Sequence, residues 1–162
     1  MLLALIVWIG GIIFFSFVEA PTLFMVLPTT RMAGDVVSAS LGKLHWIGLI
    51  AGLAFLSSSL FYDQKRFARL KPFALSNIFI LLMLVLTAIS QFGITPRMRT
   101  VRAQLEMVQT PGYDPYVAGS VPRLIALYSG QFNRLHAWST RVEGTVLFLG
   151  LGVAALTARR FS

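Results

Sequence analysis

Four long stretches of this chain carry almost no charge, and each is long enough to cross a lipid bilayer as a helix. About 20 apolar residues suffice for a hydrocarbon layer roughly 30 Å thick, because an α-helix rises about 1.5 Å per residue. Residues 1–18 are uncharged, and beyond Glu19 the apolar character runs on to Leu27. The second stretch covers residues 44–62 and contains His45; the third covers 72–96, with Asn77 and Gln91 its most polar members. The fourth is free of charge over 144–158 and reaches the required length only by extending back to about Ala137, which brings Arg141 and Glu143 into its first turns. These runs predict an all-α integral membrane protein, a single four-transmembrane-helix bundle. Its spans are expected at 2–27, 41–62, 72–96 and 135–158, with an interfacial helix and loop over 97–134.

Composition narrows the function classes. Of 162 residues, 56% are apolar and only 12% are charged, against roughly a quarter charged in a soluble domain. An ordinary soluble enzyme and a disordered chain are both excluded. The absence of cysteine removes disulfides, thiolate metal sites, iron–sulfur clusters and cysteine nucleophiles. The net charge of +8 is carried between the apolar runs rather than along a polar surface, so it flanks a membrane and does not form a nucleic-acid footprint. The first run lacks a basic start, and Glu19-Ala20-Pro21 is a poor processing site, so a permanent helix is expected there rather than a signal peptide.

The connections are expected over 28–43, 63–71 and 97–136. Within the last, Val101, Leu105 and Val108 recur at helical spacing between Arg and Gln, predicting an interfacial continuation of span three. Its Arg97 to Arg102 cluster is expected to meet anionic lipid. Pro111-Gly112 stops that helix, and a Pro- and Gly-containing loop follows. Lys65, Arg66, Arg69, Lys71, Arg159 and Arg160 fall on one side of the bilayer, and Arg31, Lys43, Arg97, Arg99, Arg102, Arg123 and Arg134 on the other. The short second connection is the densest in charge, which favours both termini in the cytoplasm.

Ionisable groups inside membrane spans are costly and mark candidate sites. Glu19 lies about 12 Å inside span one. His45 begins span two, Thr87, Ser90 and Gln91 end span three, and span four opens with Asn133, His136, Ser139, Thr140, Arg141 and Glu143. All four helices thus place polar groups in one leaflet, and the other is expected to hold almost none. Asn133, His136, Thr140 and Glu143 share a helical spacing that predicts one inward face. Gly34, Ser38, Gly42, His45, Gly48 and Gly52 form a small-residue stripe suited to close helix packing, with His45 its one large member. Pro21 loosens the helix near Glu19.

Two imidazoles beside two carboxylates suit a divalent metal, a haem or chlorophyll pigment held through His45 and His136, or a proton relay. The competing account is a structural cluster in which Arg141 neutralises Glu19 or Glu143. Trp8, Trp46 and Trp138 are expected to be packing or interface aromatics. No phosphate loop, zinc-protease pattern or nucleophile elbow is present, and Ser139, His136 and Glu143 on one helix cannot align as a triad. Ligand binding, or an accessory role in a larger membrane complex with the glycine stripe and the aromatic faces as docking surfaces, is therefore expected ahead of catalysis.

Trp8-Ile9-Gly10-Gly11, Phe14-Phe15, Glu19-Ala20-Pro21 and Leu27-Pro28 resemble the first helix of the bacterial DUF4149 family, relatives of transmembrane protein 205. Ala33-Gly34-Asp35-Val36-Val37 with Leu44-His45, then Thr95-Pro96-Arg97-Met98-Arg99, and Phe132 to Ser139 resemble its later segments. The resemblance implies a four-helix membrane bundle without an established biochemical activity. It also implies a role for His136 and Ser139, which match a Leu-His-x-x-Ser pattern. Glu143 departs from the family, where Asn often stands. The short form with inward histidines is similar, at fold level alone, to copper-resistance D-type and haem-handling membrane proteins.

Overall fold

The computed structural model describes residues 1–67, 75–110 and 120–161. Span one is α1 (Leu2–Phe14), a π-helical turn at Phe15–Glu19, and α2 (Ala20–Val26). Span two is α3 (Thr30–Phe67). Span three is α4 (Leu75–Ile89), a π turn at Ser90–Ile94, and α5 (Thr95–Gln109); span four is α6 (Val121–Phe161). Four helical stretches, Leu2–Val26, Thr30–Tyr62, Leu75–Gln109 and Val121–Arg159, are long and apolar enough to cross a membrane. The all-α bundle is as the apolar runs predict. Outward side chains such as Leu3 (75% exposed), Met25 (78%) and Phe148 (75%) are bare in the isolated chain, a surface that only lipid or another apolar partner covers.

Both π turns end two residues before a proline, Pro21 and Pro96. Proline has no N–H to donate, and its ring collides with the carbonyl four residues back; one extra residue in the preceding turn relieves that collision without ending the helix.

The helices pack in a ring, α1 on α3, α3 on α4, α4 on α6 and α6 back on α1. Trp8, Phe55, Ile80, Met83, Val146 and Val153 fill its centre at 2% exposure or less. The glycine stripe is what admits Trp8. A Cβ at Gly48 would lie 2.5 Å from the indole Nε1, and one at Gly52 would lie 2.6 Å from Trp8 Cζ3 and 2.6 Å from Leu84 Cδ2. This part of the stripe is covered by the chain's own side chains, so it is not the docking surface that the accessory-subunit expectation made of it.

Two expected connections are largely helix. α3 starts at Thr30, and α6 starts at Val121, before the expected entry of span four. At about 1.5 Å per residue, a helix of 38 residues is nearly twice the hydrocarbon thickness. The start of α3, the whole of α5 and the start of α6 therefore form a helical extension on one side of the bilayer. Charge ends an apolar run but not a helix, because backbone hydrogen bonds continue wherever one face still packs. Ala33 (0% exposed) and Val108 (6%) bury that face here. Much of the expected charged connection over 63–71 and of the loop after Pro111 lies outside the described residues.

Candidate functional site

The small-residue stripe carries His45 into the bundle at 2% exposure. Its Nδ1 lies 2.9 Å from Gln91 Oε1 and its Nε2 lies 2.7 Å from Glu143 Oε1. Ser90 Oγ donates to the same Glu143 oxygen at 3.2 Å. In a regular helix, neighbours such as Ser90 and Gln91 diverge by about 100°; the π turn lets both reach one cluster. With Gln91 so oriented, both ring nitrogens face acceptor oxygens, which suits a doubly protonated imidazolium beside the Glu143 carboxylate. Rotating the Gln91 amide by a half turn presents an N–H to Nδ1 and suits the neutral ring. Either way both nitrogens are engaged, and His45 offers no lone pair to an iron or magnesium.

The other sequence-predicted residues do not join this cluster. Glu19 is half-buried on its π turn and makes no ion pair with the cluster among the described residues. His136 is exposed and stacks on Phe132 at 6.2 Å between ring centroids. Asn133 and Thr140 are also exposed, and Thr140 Oγ1 donates to the His136 carbonyl at 3.0 Å. Arg141 is exposed and lies 5.5 Å from the Trp138 ring centroid, a cation–π contact; it neutralises neither Glu19 nor Glu143. The expected inward face of span four is thus corrected. Ser139, Val146, Gly150, Val153 and Thr157 are the buried stripe, set about 100° around the helix from Thr140. Three-and-four spacing fits several stripes on one helix, and close packing of small and apolar side chains selects among them. Glu143 sits at the edge of the buried stripe and reaches inward. Among the described residues no three His, Asp or Glu side chains assemble as a metal site.

The opposite leaflet is not empty of polar groups as expected. Ser59, Ser76, Asn77 and Thr157 are buried there, fourteen residues along the same helices from His45, Ser90, Gln91 and Glu143, or about 21 Å away. Their repeat at two heptads was visible in the sequence, but hydroxyls attract less notice than charges.

A cavity of about 430 Å³ opens between α3, α5 and α6, lined in part by Ser38, Leu41, Thr95, Arg99, Phe132 and Ser139. Leu41, Thr95 and Ser139 each lie one helical turn from His45, Gln91 and Glu143, all toward the same end of the bundle. The cavity therefore sits directly above the buried cluster, about 6 Å nearer the helical extension. On its wall Arg102 donates to the Arg31 carbonyl at 2.6 Å and pairs with Asp35 (3.4 Å) and Glu106 (3.7 Å), while Arg31 pairs with Glu106 at 3.0 Å. Arg102 is thereby tied into the protein, not presented to anionic lipid. Sequence reasoning missed this network because Asp35 and Glu106 lie 71 residues apart in the chain.

The model of the domain of unknown function DUF4149 matches residues 3–106. The chain belongs to the DUF4149 family. Trp8, His45, Ser90, Gln91, Arg99 and Arg102 lie inside the matched stretch of this DUF4149 protein, whereas Glu143 and Ser139 lie beyond it. No curated protein and no solved structure matches the chain.

Proposed function

We propose that this multi-pass membrane protein is a binding protein of the carrier kind, not an enzyme. Its small-molecule ligand occupies the cavity between α3, α5 and α6, one helical turn from His45, Gln91 and Glu143. The observation that carries this is the one-turn stacking of three cavity residues on three cluster residues. A buried carboxylate and imidazole at the membrane boundary are expensive to maintain, and here they lie one helical turn beneath the cavity wall formed by Leu41, Thr95 and Ser139. Both termini are assigned to the cytoplasm, which the dense Lys65, Arg66, Arg69 and Lys71 connection supports; the assignment to a bacterial inner membrane rests on the resemblance to bacterial DUF4149 proteins alone.

Ser139 is 6% exposed and lines the cavity from α6, so Ser139→Leu fills space without touching His45. Small molecules extracted from protein purified in mild detergent are expected to include one species held by the wild type and missing from Ser139→Leu, with both samples folded by circular dichroism. A wild-type sample that carries no small molecule and instead holds stoichiometric partner chains would overturn the proposal and favour an accessory subunit.

A further inference from the structure

The charges around the cavity are unevenly satisfied. Arg31 and Arg102 are matched by Asp35 and Glu106 in the network above. Arg99, one turn closer to the bundle on α5, makes no ion pair among the described residues. Its guanidinium nonetheless lies against α3, with Nη2 3.6 Å from where a Cβ on Gly42 would stand. The exposed Arg99 side chain thus adds one unmatched positive charge to the cavity wall. The same cavity is lined by the hydroxyl-bearing Ser38, Thr95 and Ser139, the apolar Leu41, Met98 and Phe132, and the carboxylates Asp35 and Glu106, which Arg31 and Arg102 already neutralise.

Depth adds a second constraint. Gly42 lies two residues before the uncharged stretch of α3 begins at Leu44, so the Arg99 guanidinium sits at headgroup level, where polar and acyl regions meet. An unmatched guanidinium on a wall that also carries hydroxyls suits a tetrahedral oxyanion, which it grips through charge-assisted, paired N–H bonds. Apolar walls beside it suit methylene groups rather than water.

We infer that the cavity binds the phosphate of an anionic amphiphile through Arg99, with Ser38, Thr95 and Ser139 as further donors and the chain lying along Leu41, Met98 and Phe132. This assignment rests on the ligand-binding function proposed above and names the ligand's chemistry. It differs from general attraction of a basic helix to anionic lipid, which is neither saturable nor tied to one arginine.

The test is native mass spectrometry of the full chain in neutral detergent, titrated separately with phosphatidylglycerol, phosphatidylcholine and inorganic phosphate. One saturable phosphatidylglycerol per chain is expected, with Arg99→Gln weakening it about tenfold or more. Arg97→Gln, on the other side of α5 beside Gln131 and Arg134, is the control and is expected to leave binding within about twofold, since it removes only diffuse attraction. Inorganic phosphate bound with the same Arg99 dependence, and phosphatidylglycerol no tighter, would assign the oxyanion to a free anion and overturn the amphiphile. Equal losses in Arg97→Gln and Arg99→Gln, or equal retention of phosphatidylcholine, would overturn the site altogether. A neutral molecule present in wild type and lost from Ser139→Leu would leave the binding function standing while this assignment falls.

Discussion

Replacing His45 with leucine is expected to destabilise the bundle by about 3–5 kcal/mol, because it strands the Glu143 carboxylate in a low-dielectric interior without its partner. The Nε2 to Oε1 separation of 2.7 Å and the 16% exposure of the Glu143 side chain leave water little room to substitute. The double variant His45→Leu, Glu143→Leu is expected to recover most of the loss, since replacing both members of a buried pair by apolar groups is often close to neutral. A remaining deficit of about 1–3 kcal/mol is expected from Ser90 and Gln91, whose hydrogen-bond partners are then gone. Reversible unfolding in mixed micelles measures both. A single variant as stable as wild type would show that the pair carries no buried charge. A double variant as unstable as the single would show that the loss comes from packing, not from an orphaned carboxylate.

The second large effect is steric. Gly52→Leu is expected to cost about 3 kcal/mol or more and to loosen the bundle, because even its Cβ would meet Trp8 and Leu84 at 2.6 Å. Neither neighbour has space to yield: Trp8 is 2% exposed and Leu84 8%. Gly10→Leu, where a Cβ meets nothing within 4 Å, is the matched control and is expected to change stability by less than about 0.5 kcal/mol. The same reversible unfolding compares the two. Equal stability of the variants would mean that α1 and α3 do not approach each other closely around Trp8.

Among the site residues, legibility differed by residue. His45 stood out as the one large side chain in a stripe of glycine and serine, and a stripe of that kind has one use in a lipid-embedded helix, which is to let a neighbour approach. Gln91 and Glu143 stood out as polar groups in otherwise apolar spans. His136 and Arg141 stood out equally, yet both point away from the bundle. Polarity marks a residue, but rotation of the helix about its axis decides whether it faces inward. On α6 that rotation follows from how Val146, Gly150 and Val153 pack.

The sequence by itself determined the solvent of this protein and the number of its spans, because both follow from local hydropathy summed over about 20 residues. It also determined that polar groups from several helices share one end of the bundle, since antiparallel spans of known order leave no other arrangement. Only the tertiary structure decided which of those groups touch. The His45, Gln91 and Glu143 contact joins residues 46 and 98 positions apart, and the Arg102 network joins α5 to the start of α3. The cavity above them belongs to no single helix. Contacts between distant residues depend on helix rotation, on the register shift at the π turns and on how far each helix runs past the bilayer, and none of these three is written in a local pattern.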